Sequence, residues 1–268
     1  MQDLHDFMRS LVRHNIETVL GSIGPDAVSL WTSDQEERGN AIDSIAVRII
    51  SLKTFTNKYI CKTLELTTVD LLRKVGRPNP KPRPKEVLSD EEVERLLAVF
   101  DQETFEDIRD RALIATLVAT GLRRSAVRLL PLSSYDRVSG EFTVEEKGNV
   151  VRLGRLGDRP RKYMRAYLAR RPERAKTDQL WVTERGTGLG NSGMEMIMRR
   201  AKKRSGITRV HAHLFRHRIA QRAADQGAAV GEIQTLLGHS TPAMARRYAG
   251  QALNRQGAKL MVQYSPLG

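Results

Sequence analysis

Histidine, arginine and tyrosine residues recur near the C-terminal end of this chain in spacings suited to phosphate chemistry. His213 and Arg216 are three positions apart, so on a helix both side chains lie on one face and can reach a single phosphate. His239 follows Gly238, a residue type that commonly ends a helix, and Tyr248 follows nine positions later. A His and an Arg also decorate ordinary basic helices, and a tyrosine near a C-terminus is often a packing residue. Each signal is weak by itself.

Two basic residues further upstream complete the set. Arg123 follows Thr120-Gly121, where a helix over 108–119 is predicted to end, and Lys147 opens the predicted hairpin turn Lys147-Gly148-Asn149. In so basic a chain either one alone is typical of a surface charge.

Together these side chains can transfer a phosphoryl group to a tyrosine hydroxyl. Arg123 and Arg216 can hold the non-bridging oxygens and stabilise the charge of a pentavalent transition state. A tyrosine hydroxyl is a weak nucleophile near neutral pH, so His213 or His239 can serve as the base or orient the phosphate. Lys147 can protonate the departing 5′ oxygen. The scheme needs no metal and no cofactor, because guanidinium groups supply the charge of a divalent ion.

The elements that must position these residues fall into two predicted domains. Residues 77–85 contain four prolines among basic residues, which predicts a semi-rigid linker over 77–87. Residues 1–76 read as a helical bundle, in which Ile42, Ile45, Ile49 and Leu52 share one helix face.

The second predicted domain, 88–268, begins with a helix and contains a small sheet. Ser89 and Glu92 form a capping-box pattern at its start. Apolar runs at 142–144 and 150–153 flank the hairpin turn, and helices are predicted over 214–224, over 230–237 and from Thr241-Pro242 onward. The sequence therefore predicts a mainly α protein with a small antiparallel β-sheet.

Charge and cysteine content indicate the partner and the compartment. Lysine and arginine outnumber acids 45 to 31, which gives a net charge of +14 and favours nucleic acid over a merely solvated basic surface. Cys61 is the single cysteine, so no internal disulfide is possible and the reducing cytoplasm is expected. No apolar run is long enough to predict a membrane span. The residues expected to contact DNA phosphates are Arg152, Arg161, Lys162, Arg199, Arg200, Lys202 and Lys203.

The sequence resembles the tyrosine recombinase, or phage integrase, family. The similarity covers nearly all of the chain, since 47–80 resembles the end of the family's helical DNA-gripping domain. The motifs that carry it, in family order and spacing, are Thr120-Gly121-Leu122-Arg123, Lys147-Gly148-Asn149, His213-x-x-Arg216-His217 and Leu236-Leu237-Gly238-His239-Ser240 with Tyr248.

The resemblance implies a site-specific recombinase or integrase that forms a 3′-phosphotyrosyl bond on Tyr248, releases a 5′ hydroxyl and requires no ATP. It also implies a homo-tetramer that joins two double-stranded DNA sites, exchanges strands through a Holliday junction and can use accessory proteins. A helical core-binding (SAM-like) domain and an α+β catalytic domain would form a C-shaped clamp, with an exchange helix at about 250–263 docking into a neighbouring subunit. The residues that fill the six catalytic positions are Arg123, Lys147, His213, Arg216, His239 and Tyr248.

Two other functions are compatible with the sequence. A type IB topoisomerase uses the same tyrosine chemistry without exchanging partners, and an inactive DNA-binding regulator could keep the fold alone. The intact set of six residues weighs against the regulator. One departure from the family pattern is Ala126, where relatives often carry an acidic residue that supports the first arginine.

Overall fold

The chain divides into two compact units. The computed structural model describes residues 2–76, 78, 86–146, 150–238 and 242–263. Its Cα positions group into Met1–Arg83 and Pro84–Gly268. Most of the predicted linker, residues 77 and 79–85, lies outside the described residues.

The first unit is a helical bundle. Its core contains Phe7, Trp31, Ile45 and Ile49, and the Phe7 and Trp31 rings meet edge to face with centroids 5.5 Å apart. Of the predicted apolar face of the third helix, only Ile42 is exposed, because it is the first residue of that helix. The helices are α1 (Gln2–Arg13), α2 (Pro25–Glu37) and α3 (Ile42–Thr54), and α3 continues into a π-helical turn, Phe55–Cys61.

The second unit is helical around one β-hairpin. The predicted capping box is confirmed, since the Ser89 hydroxyl accepts from the Glu92 amide and the Glu92 carboxylate accepts from the Ser89 amide. The central helix is buried along most of its length and ends at Gly121. The helices are α4 (Asp90–Ala98), α5 (Phe105–Thr120), α6 (Arg124–Arg128), α7 (Asp158–Arg170), α8 (Asn191–Ser205), α9 (Ala212–Asp225), α10 (Val230–Leu237) and α11 (Ala243–Gln263).

The hairpin consists of β1 (Glu141–Glu146) and β2 (Val150–Arg155), which pair antiparallel in the register Glu141↔Arg155. Phe142 and Val144 of β1 are buried in the core, as expected for alternate residues of a half-buried strand. The predicted turn, 147–149, lies outside the described residues. The expectation of a mainly α fold with a small antiparallel sheet is confirmed.

The last three helices differ from the prediction in one respect. α9 and α10 match it closely, and Gly238 ends α10 in the left-handed conformation with φ +59°. The structure then has one continuous helix, α11, so the predicted exchange segment, 250–263, is its second part and Tyr248 lies on its first. Gly250 stays helical because the alanine, arginine and glutamine residues around it are good helix formers. Among the described helices, none is long and apolar enough to cross a bilayer.

Candidate active site

Arg123 is positioned by a close approach of α5 to α9. Gly121 ends α5 with φ +59°, and a Cβ at this residue would lie 2.4 Å from Cγ2 of Ile219 and 3.4 Å from the Cα of Arg216. Only glycine combines that left-handed backbone with so small a volume. The chain therefore turns directly against α9, and Arg123 follows as the N-cap residue of α6.

Arg216 lies in the interior of the site. Its Nη1 donates to the carbonyl of Gly121 at 3.0 Å, and its Nη2 donates to the carbonyl of Leu237. Burial, together with the positive charges of Arg123 and Arg152, lowers the pKa of Arg216 to about 10. The side chain therefore remains cationic at neutral pH, held by carbonyl oxygens.

Arg123, Arg152 and Arg216 meet at the C-terminal end of α10 and are called the arginine cluster below. Nη2 of Arg123 donates to the carbonyl of Gly238 at 3.3 Å. Arg152, from β2, donates to the carbonyl of Thr235 at 3.2 Å and to that of Leu236. Burial, and then the charge of Arg123, lowers the pKa of Arg152. Sequence reasoning placed Arg152 among the DNA-contacting residues and did not connect it to the catalytic arginines.

Tyr248 lies on the first half of α11, and its side chain is buried. The residue is 6% exposed and packs with Ala220, Ile233 and Leu237 between α9, α10 and α11. Burial raises the pKa of Tyr248, while the charges of Arg216 and Arg247 act in the opposite direction. Tyr248 therefore packs in a hydrophobic cluster and also lies near the charges of Arg216 and Arg247.

His217 is a residue of the candidate site that the sequence analysis did not single out. Its Nδ1 is hydrogen-bonded to the hydroxyl of Tyr248, and a cavity of about 30 Å³, lined in part by Met244 and Arg247, lies beside the pair. Such a volume has room for about one water molecule. His217 directly follows Arg216 in the motif that was recognised, but spacing alone did not reveal which of its histidines reaches the tyrosine.

Of the other three predicted catalytic residues, the structure describes His213. His213 is exposed in the first turn of α9, and its ring centroid lies 6.5 Å from that of His211. His211 is the N-cap residue, and its Nδ1 accepts from the Leu214 amide at 3.2 Å. Lys147 and His239 lie outside the described residues. Ala126, the departure from the family pattern, is buried in α6.

The predicted DNA-contacting residues divide into structural and surface groups. Arg161 donates to the carbonyl of Val138, and Arg200 forms an ion pair of 2.8 Å with the buried carboxylate of Asp110. Arg199 and Lys202 line an open groove of about 350 Å³ on α8. Lys162 and Lys203 are exposed. Among the described residues, no cluster of three or more His, Cys, Asp or Glu residues could hold a metal.

Comparison with known proteins identifies the family. A sequence profile described as the phage integrase family matches residues 86–255, and the chain therefore belongs to that family, the tyrosine-type site-specific recombinases. The tyrosine recombinase XerC of Haemophilus ducreyi is 28% identical over 230 residues, which cover 83% of this chain and 73% of the relative. The XerC of Staphylococcus aureus is 26% identical over 226 residues, with 83% and 75% covered.

Solved structures share the fold. The XerH site-specific recombinase in a post-cleavage complex with a palindromic difH substrate aligns with a TM-score of 0.74 and 19% identity, covering 97% of this chain and 77% of that one. A lambda integrase dimer bound to a COC′ core site gives a TM-score of 0.63 and 17% identity, covering 91% and 90%. The XerA recombinase gives 0.57 and 23%, covering 99% and 91%.

Proposed function

We propose that this chain cuts and rejoins double-stranded DNA through a covalent bond to Tyr248. The phenolic oxygen attacks the phosphorus of a scissile phosphate, a 3′-phosphotyrosyl bond forms, and the bond from phosphorus to the 5′ oxygen breaks. The phenol proton passes to a base, and Lys147 supplies a proton to the departing 5′ oxygen. The reverse reaction with a 5′ hydroxyl from another strand rejoins the DNA without ATP, because the phosphotyrosyl bond conserves the energy of the broken bond.

The observation that carries this proposal is the placement of Tyr248 beside Arg216, which is one member of the arginine cluster. The charge of Arg216 opposes the rise in the pKa of Tyr248 that burial causes, so the guanidinium favours the phenolate that must form during attack. Arg123 and Arg216 both hold carbonyls at one end of α10, where they can also receive the non-bridging oxygens of a phosphate. His213 and His239 take the family's histidine roles in this proposal.

The assembly that we propose is a homo-tetramer on two DNA sites that exchanges strands through a Holliday junction. The first unit, 1–76, acts as the core-binding domain, 77–87 as the linker and 88–268 as the catalytic domain. The second half of α11 supports an exchange with a neighbouring subunit, since Leu253 and Met261 are 66% and 77% exposed there. Lambda integrase and XerH were solved on DNA, the former as a dimer, which favours DNA as the partner of this chain as well. The cellular role is integration and excision of a mobile element, or resolution of replicon dimers.

Covalent capture tests the chemistry. The protein is incubated with sheared genomic DNA from its source and quenched in detergent, and the DNA that remains attached to protein is sequenced. We expect a discrete set of attached sequences with the native protein and none with Tyr248→Phe. Tyr163→Phe is the matched control, because its hydroxyl contacts Arg159 and lies outside the site.

The other outcomes are equally informative. Attached DNA scattered over the genome would replace the recombinase proposal with a type IB topoisomerase. The absence of any adduct, under conditions in which the native protein binds DNA, would overturn the proposal in favour of a DNA-binding regulator.

A further inference from the structure

The C-terminal end of α10 is held by side chains from three different parts of the second unit. The last carbonyls of any α-helix have no partner within the helix. Here those of Thr235 and Leu236 accept from Arg152 of β2, and that of Leu237 accepts from Arg216 of α9. The carbonyl of the C-cap residue Gly238 accepts from Arg123. The arginine cluster thus covers four successive carbonyls.

The C-terminal end of α10 stabilises three guanidinium groups that lie close together in a partly buried site. Burial lowers the pKa of Arg152 and Arg216, and the charges of neighbouring guanidinium groups in the cluster lower it further. The C-terminal end of a helix carries a partial negative charge, which stabilises nearby cations. Because this charge is partial, the helix end holds the arginines in place without neutralising them.

Arg152 differs from the other two arginines in what it connects. It lies on β2, which begins three positions after Lys147 in the sequence, and it is bonded to the last turn of α10, which ends two positions before His239. One side chain therefore links the two elements that precede or follow these predicted catalytic residues. A side chain that served only phosphate affinity would have no need of two bonds to helix carbonyls.

We propose that Arg152 is a positioning residue of the recombinase: its guanidinium fixes the C-terminal turn of α10 against β2 and so sets the geometry of Arg123 and Arg216. The proposal rests on the proposed function. It assigns to Arg152 an effect on the cleavage step itself, in addition to any contribution to DNA affinity.

The decisive measurement separates cleavage rate from DNA affinity. A duplex carrying the sequence recovered by covalent capture is cleaved under single-turnover conditions at saturating protein, and its dissociation constant is measured separately with Tyr248→Phe in the background. We expect Arg152→Gln to lower the saturated rate by about 10- to 100-fold, the range of a lost preorganising contact, while the dissociation constant changes by less than about 3-fold. Arg155→Gln removes the same charge from an exposed residue of the same strand and should leave the saturated rate unchanged.

A conservative variant separates geometry from charge. Arg152→Lys keeps the charge but replaces the planar fork with a single ammonium group, so we expect it to recover the rate only in part. Full recovery by lysine, or a loss of affinity with an unchanged saturated rate, would reduce Arg152 to an ordinary phosphate contact and overturn the proposal.

A second measurement needs no DNA. Amide hydrogen exchange of the native protein, Arg152→Gln and Arg155→Gln reports on the C-terminal turn of α10 directly. We expect Arg152→Gln to raise exchange in peptides covering 234–238 by at least about 10-fold while α5 and α7 keep native protection. Native protection at 234–238 in a folded Arg152→Gln protein would contradict the proposal even if Tyr248 were proved to be the nucleophile, whereas failure of covalent capture alone would affect only the proposed reaction.

Discussion

The hydroxyl of Tyr248 is hydrogen-bonded to Nδ1 of His217, so the proposed nucleophile and an imidazole are in direct contact within one subunit. The two ring centroids are 5.8 Å apart, with the planes tilted by 52°. His217 follows Arg216 in α9, so neighbouring residues of one helix place an imidazole nitrogen and a cation beside the phenol. We propose from this contact that His217 accepts the phenol proton during the attack, in addition to the two histidines that the sequence indicated.

We expect His217→Ala to lower the first-order rate of adduct formation by about 100-fold or more at saturating DNA, since general-base contributions fall in that range. The measurement is single-turnover formation of the covalent complex on a captured site. His217→Asn is the informative partner, because an amide can keep a hydrogen bond to the hydroxyl without accepting its proton. An Asn variant that cleaves at the native rate would mean that His217 only orients Tyr248.

The approach of α5 to α9 at Gly121 should be intolerant of a single methyl group. Gly121→Ala places a Cβ in a left-handed conformation and against Ile219, which we expect to cost about 1–2 kcal/mol for the backbone and about 1–3 kcal/mol for the overlap. Adduct formation should fall as well, because Arg216 donates to the Gly121 carbonyl. Equilibrium unfolding in urea measures the first effect and covalent capture the second.

Gly206 offers a matched control for that substitution. It ends α8 with φ +71°, and a Cβ there would meet no atom within 4 Å. Gly206→Ala should therefore lose only the stability that the left-handed backbone costs, and its adduct formation should stay native. Combining Gly121→Ala with Ile219→Ala should recover the stability that is lost to steric overlap with Ile219. Equal losses of stability for Gly121→Ala and Gly206→Ala would show that overlap with Ile219 contributes nothing.

Local patterns predicted the elements of this chain better than the contacts of its site. The capping box at Ser89, the glycine stops and the hairpin follow from residues adjacent in sequence, and the structure contains all of them. The hydrogen bond from Arg152 to the carbonyl of Leu236 joins residues that are 84 positions apart, and no local sequence pattern encodes it. The same holds for the burial of Tyr248, since its flanks are polar while its packing partners come from α9 and α10.

A buried carboxylate makes the first unit sensitive to acid. Asp34 is 4% exposed and accepts from the Ser10 hydroxyl at 2.7 Å, from Arg13 at 3.2 Å, and bonds to Nε2 of His14 at 2.9 Å. The hydrogen bond from Ser10, with smaller effects of His14 and Arg13, lowers the pKa of Asp34. A depressed pKa in the folded state adds stability above the unfolded value of about 3.9, and this stability is lost as the pH falls through the folded value.

Asp34→Asn should therefore lower the free energy of unfolding by about 1–3 kcal/mol at pH 7, and the difference from the native protein should shrink at about pH 3 and below. The fluorescence of Trp31 reports the unfolding of this unit when Trp181 of the other unit is replaced by phenylalanine. Glu37→Gln, an exposed change on the same helix, is the control. A difference that is the same at both pH values would show that ionisation of Asp34 contributes nothing.

The same substitution at two adjacent arginines of α8 should affect DNA binding in one case and folding stability in the other. Arg199 is exposed and lines a groove with Arg124 and Lys202. We therefore expect Arg199→Gln to reduce the slope of log affinity against log salt by about 0.9 for a duplex of arbitrary sequence, with native stability.

Arg200 instead pairs with Asp110, whose pKa is raised by burial, and Arg109 is the other cation on that carboxylate. Arg200→Gln should keep the native salt slope and lower the free energy of unfolding by about 1–3 kcal/mol, because it removes a partner from a buried carboxylate. Fluorescence anisotropy of labelled DNA over a salt series and urea unfolding together assign each residue. A reduced salt slope for Arg200→Gln with unchanged stability would place Arg200 on the DNA and leave Asp110 satisfied by Arg109 alone.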